Sequence, residues 1–287
     1  PFIGLYDAGA SILRAQNNTK GPMTISILSN FLNIGGNAIL IFVFGMGVAG
    51  AAVATVIGQI VAFFLALLFH LRKNPEVTLS RQSMRLHWDV LKPILSVGIP
   101  SIVMVAIGSV MNFTMNQILV GFTSTAVAVF GAYFKLQSFI FMPVFGLTNA
   151  MVPIVAYNFG ARKPARIQKC IVLSCICAFL FMLCGFAVFQ ITPELLLAMF
   201  HPTDTFLSMG SQALRIISWG FPIASFCVVL SAVFQALGIG LYATIVSLAR
   251  QLLVLLPVAY LLSLSNRLEL VWCAFPIAEL MSLTLSI

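Results

Sequence analysis

Residues 161–190 read A-R-K-P-A-R-I-Q-K-C-I-V-L-S-C-I-C-A-F-L-F-M-L-C-G-F-A-V-F-Q: four cations in the first nine positions, then twenty-one residues, 170–190, with no charge. At 1.5 Å rise per residue, a helix of that length matches a hydrocarbon core of ~30 Å, and the cations would hold one of its ends at a membrane surface. Working outward in both directions, apolar runs of comparable length recur at 22–44, 47–70, 93–121, 126–156, 168–190, 207–238, 241–264 and 268–287, and residues 1–13 read as the tail of one more helix. If the chain crosses at each run, the segments near 14–20, 71–92 and 161–169 lie on one side and carry eleven of the fifteen Lys and Arg, while the other side receives only Arg267. Basic loops stay in the cytoplasm. The expectation is therefore a multi-pass protein of the cell (plasma or inner) membrane, with loops 71–90 and 158–169 cytoplasmic.

Composition excludes other classes. With 61% hydrophobic and 8% charged residues, the chain has too little polar surface for a water-soluble domain of this length. The net charge of +8 is confined to the cytoplasmic loops, where it meets anionic headgroups, so no nucleic-acid partner is expected. The six cysteines all fall in apolar runs, with no nearby His and no paired C-x-x-C, which reads as packing between helices and leaves no metal site and no cofactor expected. Three scattered His and seven acids do not form the interfacial clusters that an embedded enzyme would need. The chain opens on Pro1 without an initiator Met and stops at Ile287 inside an apolar run, so a fragment cut at both ends is expected.

Segment 71–90 is the one long polar interruption, and Leu79, Met84, Leu86 and Trp88 within it have the spacing of a short amphipathic helix on the bilayer surface. It divides the chain into 1–70, a linker 71–90, and 91–287. A faint internal repeat, S-I-L-R-A at 11–15 against A-V-F-Q-A at 232–236, is offset by 221 residues, about the length of six helices.

Polar groups inside the spans carry the functional signal, because a charge at the bilayer centre costs at least ~2.5 kcal/mol and usually faces a cavity. Lys135 lies about nine residues inside its run, ~14 Å deep. Arg250 and Glu279 sit at similar depths in the last two runs, and Asp7 one or two turns from a cytoplasmic end. Glu279 either pairs with Arg250 or Lys135 or acts directly in transport. Asn112 and Asn116, four apart, share a face that Gln117 adjoins, and this face either lines a pathway or bonds a neighbouring helix. Pro100, Pro143, Pro153, Pro222, Pro257 and Pro276 are candidate bends.

The stretches L-R-A-Q-N-N-T-K-G-P-M (13–23), L-N-I-G-G-N-A-I-L-I-F-V-F-G (32–45), G-A-A-V-A-T-V-I-G-Q (50–59) and G-A-Y-F-K-L-Q-S-F-I-F-M-P-V-F-G-L-T-N-A-M-V-P-I-V-A-Y-N-F-G-A-R-K (131–163) resemble, in order, segments of multidrug and toxic compound extrusion (MATE) transporters of the DinF- and MepA-like branch. The resemblance implies an all-α, polytopic twelve-helix fold of two six-helix lobes. Residues 1–70 would be helices 4–6 at the end of the N-terminal lobe, and 91–287 would be helices 7–12 of the C-terminal lobe, so about eight complete helices and a partial one. It implies a secondary active antiporter, not an enzyme, that exports amphipathic or cationic small molecules against inward Na+ or H+, as a monomer in the lipid bilayer. It also implies a cation site at Asn33, Asn37 and Thr55, with Asn37 where an Asp is usual, and a substrate pathway for which Asn112, Asn116, Gln117, Lys135 and Glu279 are the candidates. The acids of the NorM branch fall here at about Gly108 and Ala224, so that branch's site is not expected. A lipid-linked oligosaccharide flippase of the same superfamily is the alternative, and Lys135, Arg215 and Arg250 keep it open.

Overall fold

Each apolar run folds as helix, as it must where no water can satisfy the backbone N–H and C=O groups. The computed structural model describes residues 2–16, 18–74, 87–200 and 202–286. Among them, seven helices are long and apolar enough to cross a membrane, and one bent pair of shorter helices passes the same test when taken together. The helical contacts divide the chain into two units, Pro1–Leu86 and His87–Ile287.

The first unit holds α1 (Phe2–Ala15), α2 (Lys20–Ala38) and α3 (Gly47–Lys73), with α3 packed on both others. Small residues set the approach of α2 to α3: a Cβ on Gly36 would lie 3.2 Å from that of Ala54, and Ser29 Oγ donates to the Gly58 carbonyl at 2.8 Å. Ile25, Ala62 and Ala66 form the small core, with Tyr6, Leu65 and Phe69 against it. At the other contact, His70 Nε2 bonds the Gly9 carbonyl at 2.9 Å, and the Asn74 and Gln16 amides bond each other in both directions at 2.7 and 3.2 Å. These bonds tie the end of α3 to α1. Beyond Ala38, α2 widens into a π-helical turn, Ile39–Val43, and Gly45 and Gly47, at φ +64° and +53°, reverse the chain into α3.

The second unit contains α4 (Trp88–Val120), α5 (Ser124–Gly160), α6 (Pro164–Ile191), α7 (Pro193–Ala198), α8 (Asp204–Ser218), α9 (Phe221–Ala236), α10 (Gly240–Leu248), α11 (Leu256–Ser263), α12 (Leu268–Trp272) and α13 (Ala274–Ser286). Local signals start these helices: Thr123 Oγ1 accepts from Ala126 N, Thr203 Oγ1 accepts from Phe206 N, and Pro164 and Pro193 occupy first turns, where a missing N–H costs nothing. α5 is central, supplying Phe130, Tyr133, Phe141, Val144 and Met151 to the core, with α6, α8 and α9 against it.

Four expectations change. The run 207–238 is two helices, α8 and α9, bent by 52° at Trp219–Gly220, because Pro222 in the first turn of α9 cannot continue the hydrogen-bond ladder of α8. The run 241–264 is interrupted by seven π-helical residues, Ala249–Leu255, that run up to Pro257; the proline has no N–H to give to Leu253, and a widened turn is one way to pass it. The loop 192–206 holds the short helix α7. Both ends of the linker 71–90 are helical, closing α3 and opening α4; Leu79, Met84 and Leu86 lie outside the described residues, and Trp88 is the first residue of α4.

Candidate functional site

Two cavities collect the polar side chains of the spans, one in each unit. In Pro1–Leu86, Asn33 and Asn37 stand one turn apart on α2 and face Thr55 on α3. The Ala51 carbonyl can only accept, so Thr55 donates to it at 2.9 Å, which orients everything upstream. Thr55 Oγ1 then accepts from Asn33 Nδ2 at 3.2 Å, and Asn33 Oδ1 accepts from Asn37 Nδ2 at 3.0 Å. The relay ends on Asn37 Oδ1, which is buried and has no hydrogen-bond partner among the described residues. A buried amide oxygen without a donor is costly, and a cation or an added N–H would relieve it.

Asn33 and Thr55 also line a cavity of about 350 Å3, together with Tyr6, Asp7, Ser29, Asn30 and Gln59. These side chains present oxygen throughout, the ligand chemistry of a hard cation. Asp7 is the only acid among the described residues of this unit. Sequence reasoning noted its depth but did not connect it to Asn33; the link is made by α1 lying along α3.

In His87–Ile287 a cavity of about 480 Å3 opens among α4, α5, α9, the π-helical segment and α13. Glu279 and Asn112 line it, as does Arg250, whose Nη1 donates to Glu279 Oε1. Glu279 thus pairs with Arg250 and not with Lys135. Glu279 Oε2 is buried without a hydrogen-bond partner among the described residues. Asn112 Nδ2 turns back to the Gly108 carbonyl of its own helix at 3.3 Å.

The remaining pathway candidates lie off this cavity's wall. Asn116 is half-buried and Gln117 exposed on α4. Lys135 is exposed, with Nζ 5.8 Å above the ring of Phe200, so that a cation–π contact accommodates it away from the cavity. The cavity instead recruits residues that sequence reasoning passed over: Tyr133 and Gln137, four apart on α5, Asn149 farther along it, and Gln251, whose Nε2 donates to Ser247 Oγ at 3.0 Å. The signal for Tyr133 and Gln137 was present in their helical spacing on either side of Lys135.

The MatE family model matches residues 100–261, and a second model, Lipid II flippase MurJ, matches residues 1–129. The multidrug export protein MepA of Staphylococcus saprophyticus is 30% identical over 264 residues, covering 92% of this chain and 58% of that protein. The probable multidrug resistance protein YoeA of Bacillus subtilis is 27% identical, covering 99% of this chain and 64% of its own length. The chain therefore spans about three fifths of the length of these relatives. A crystal structure of MATE in complex with MaL6 superposes with a TM-score of 0.90 at 23% identity, over 99% of this chain and 64% of that one. An outward-facing multidrug resistance MATE transporter of the MOP superfamily gives 0.88 at 24%, over 97% and 63%. At these identities the structures speak for the fold, and the family model, matching more than half of the chain, settles membership: the chain belongs to the MatE family.

Proposed function

We propose that this chain works as part of a secondary active antiporter of the cell membrane that exports amphipathic or cationic small molecules and is driven by inward Na+ or H+. Residues 1–70 would close the N-terminal lobe and 91–287 would form the C-terminal lobe, with the linker 71–90 and the loop 158–169 in the cytoplasm. The observation that carries the coupling is the oriented relay Asn37–Asn33–Thr55 beside a cavity that also holds Asp7. An ion bound there more tightly in one arrangement of the lobes than in the other shifts the population toward the first, and a substrate with the opposite preference is thereby exported. Asn37 offers an oxygen but no titratable charge, so the carboxylate must come from elsewhere. Asp7 supplies one in the same cavity.

The test is reconstitution of the intact protein into liposomes with an imposed Na+ or H+ gradient. Asn37→Asp adds a carboxylate and should strengthen cation dependence and make transport more sensitive to pH; Asn33→Ala should weaken coupling while the protein still folds. Identical responses of wild type and both variants to both gradients would remove this site from the mechanism.

A second reading, export of a lipid-linked saccharide, is favoured by one observation, the match of residues 1–129 to the lipid II flippase model. In the same liposomes, translocation of a fluorescent polyprenyl-linked saccharide with no efflux of an organic cation would select it.

A further inference from the structure

The ion pair in the cavity that Arg250 and Glu279 line is made at one point only. Arg250 Nη1 meets Glu279 Oε1, while Oε2 stays buried and unpartnered. A guanidinium and a carboxylate that are free to align form two parallel hydrogen bonds. Here Arg250 reaches in from the second position of a π-helical segment whose far end is set by Pro257, and Glu279 comes from α13, its Cγ 3.3 Å from where a Cβ on Gly220 would stand. Both partners line the cavity, and the Arg250 side chain opens onto it more than that of Glu279, 30% against 15%. Around the pair the cavity offers the aromatic side chains of Tyr133, Phe134, Phe141 and Phe275 and the amides of Gln137 and Gln251. Apolar walls with a few convergent polar groups are the make-up of a small-molecule site, and here its one anion is already occupied by a side chain.

The geometry points to Glu279 as the anchor of a binding site for an aromatic organic cation of the amidinium, guanidinium or ammonium class, with Arg250 as a tethered competitor that holds the anchor when no ligand is present. Binding is an exchange: the ligand's N–H groups take both carboxylate oxygens, its ring lies between the aromatic walls, and Arg250 gives up its contact and swings along the cavity wall that it already lines. A side chain tethered this close competes at an effective concentration of ~mM or above, which keeps the resting affinity modest and lets the ligand leave again. The inference rests on the transport reading for the nature of the ligand, but binding needs no gradient, so its failure can be told apart from a failure of coupling.

The test uses the intact protein in lipid nanodiscs, benzamidine as the probe and benzamide as its neutral isostere, with affinity read by calorimetry. Arg250→Gln should tighten benzamidine binding at least ~10-fold by removing the competitor. Glu279→Gln should abolish it, and the double variant Arg250→Gln/Glu279→Gln should be as blind as Glu279→Gln alone. Benzamide should not bind detectably to any of them. Benzamidine should also raise the melting temperature of Arg250→Gln more than that of the wild type, since it restores a partner to a stranded carboxylate. If Arg250→Gln does not fold unaided, its recovery when purified with benzamidine supports the exchange, and its loss under those conditions overturns it. Unchanged or weaker binding in Arg250→Gln, retained binding in Glu279→Gln, or benzamide binding as well as benzamidine would each overturn the assignment.

Discussion

At the scale of single residues, the relay on α2 and α3 has one component that holds its direction. Thr55 both donates to Ala51 and accepts from Asn33. Thr55→Ala removes that acceptor and leaves the Asn33 amide to seek another, so the oxygens facing the cavity lose their fixed orientation. Thr55 is exposed and its removal opens no core, so the cost in stability should stay within ~0.5 kcal/mol. The expected outcome is gradient-driven efflux that loses its ion dependence while the melting temperature in detergent hardly moves. A fall of both together would make Thr55 a structural residue. Thr55→Ser, which keeps the hydroxyl, should retain coupling.

Much of this site was legible in the sequence, because positions 33 and 37 share a face of any α-helix and the family pattern supplied Thr55. Asp7 was not connected to it, since the packing of α1 against α3 brings together residues about fifty apart that no period links. In the other unit, depth alone singled out Arg250 and Glu279 and left Lys135 as an equal partner; helical phase decides against it, since Tyr133, Phe134 and Gln137 of α5 line the cavity while Lys135 lies beside Phe200.

Among the elements, the positions of the helices followed from hydropathy, whereas their caps and the π-helical segments did not. A π turn changes which carbonyl each N–H reaches and leaves composition untouched, so Ala249–Leu255 carries no mark of it except Pro257 downstream. The close packing of α5 and α6 was equally silent. Gly185 on α6 receives Ile140 of α5, and a Cβ added there would overlap Ile140 Cγ2. Ile140 is β-branched and cannot swing that methyl aside without leaving its rotamer. Gly185→Val should therefore destabilise the protein by ~1–3 kcal/mol, read as a lowered melting temperature in detergent. Ile140→Ala in the same chain should return part of that loss. If the double variant is no better than the sum of the two single changes, the contact is not what limits the site.

For the whole molecule, orientation is argued from Lys and Arg alone. Cysteine-accessibility labelling in cells should find residues 71–90 and 161–169 cytoplasmic and 192–206 outside, and the reverse pattern would invert every statement about which way substrate and ion move. Span lengths carry a further consequence. α4 and α5, at 33 and 37 residues, are ~50 and ~55 Å long and must end well outside a hydrocarbon layer of ~30 Å, whereas the span Gly240–Ser263, which carries Arg250, has 24 residues and is at most ~36 Å long. Lengthening the acyl chains of the host lipid leaves the long helices room to slide but soon reaches the ends of the shorter one, and its π-helical segment is the part that bears Arg250. Bilayer thickness thus becomes a control on the charged cavity, and lipids with longer tails will strain the Arg250 side of its ion pair before they disturb the helices that give the protein its bulk.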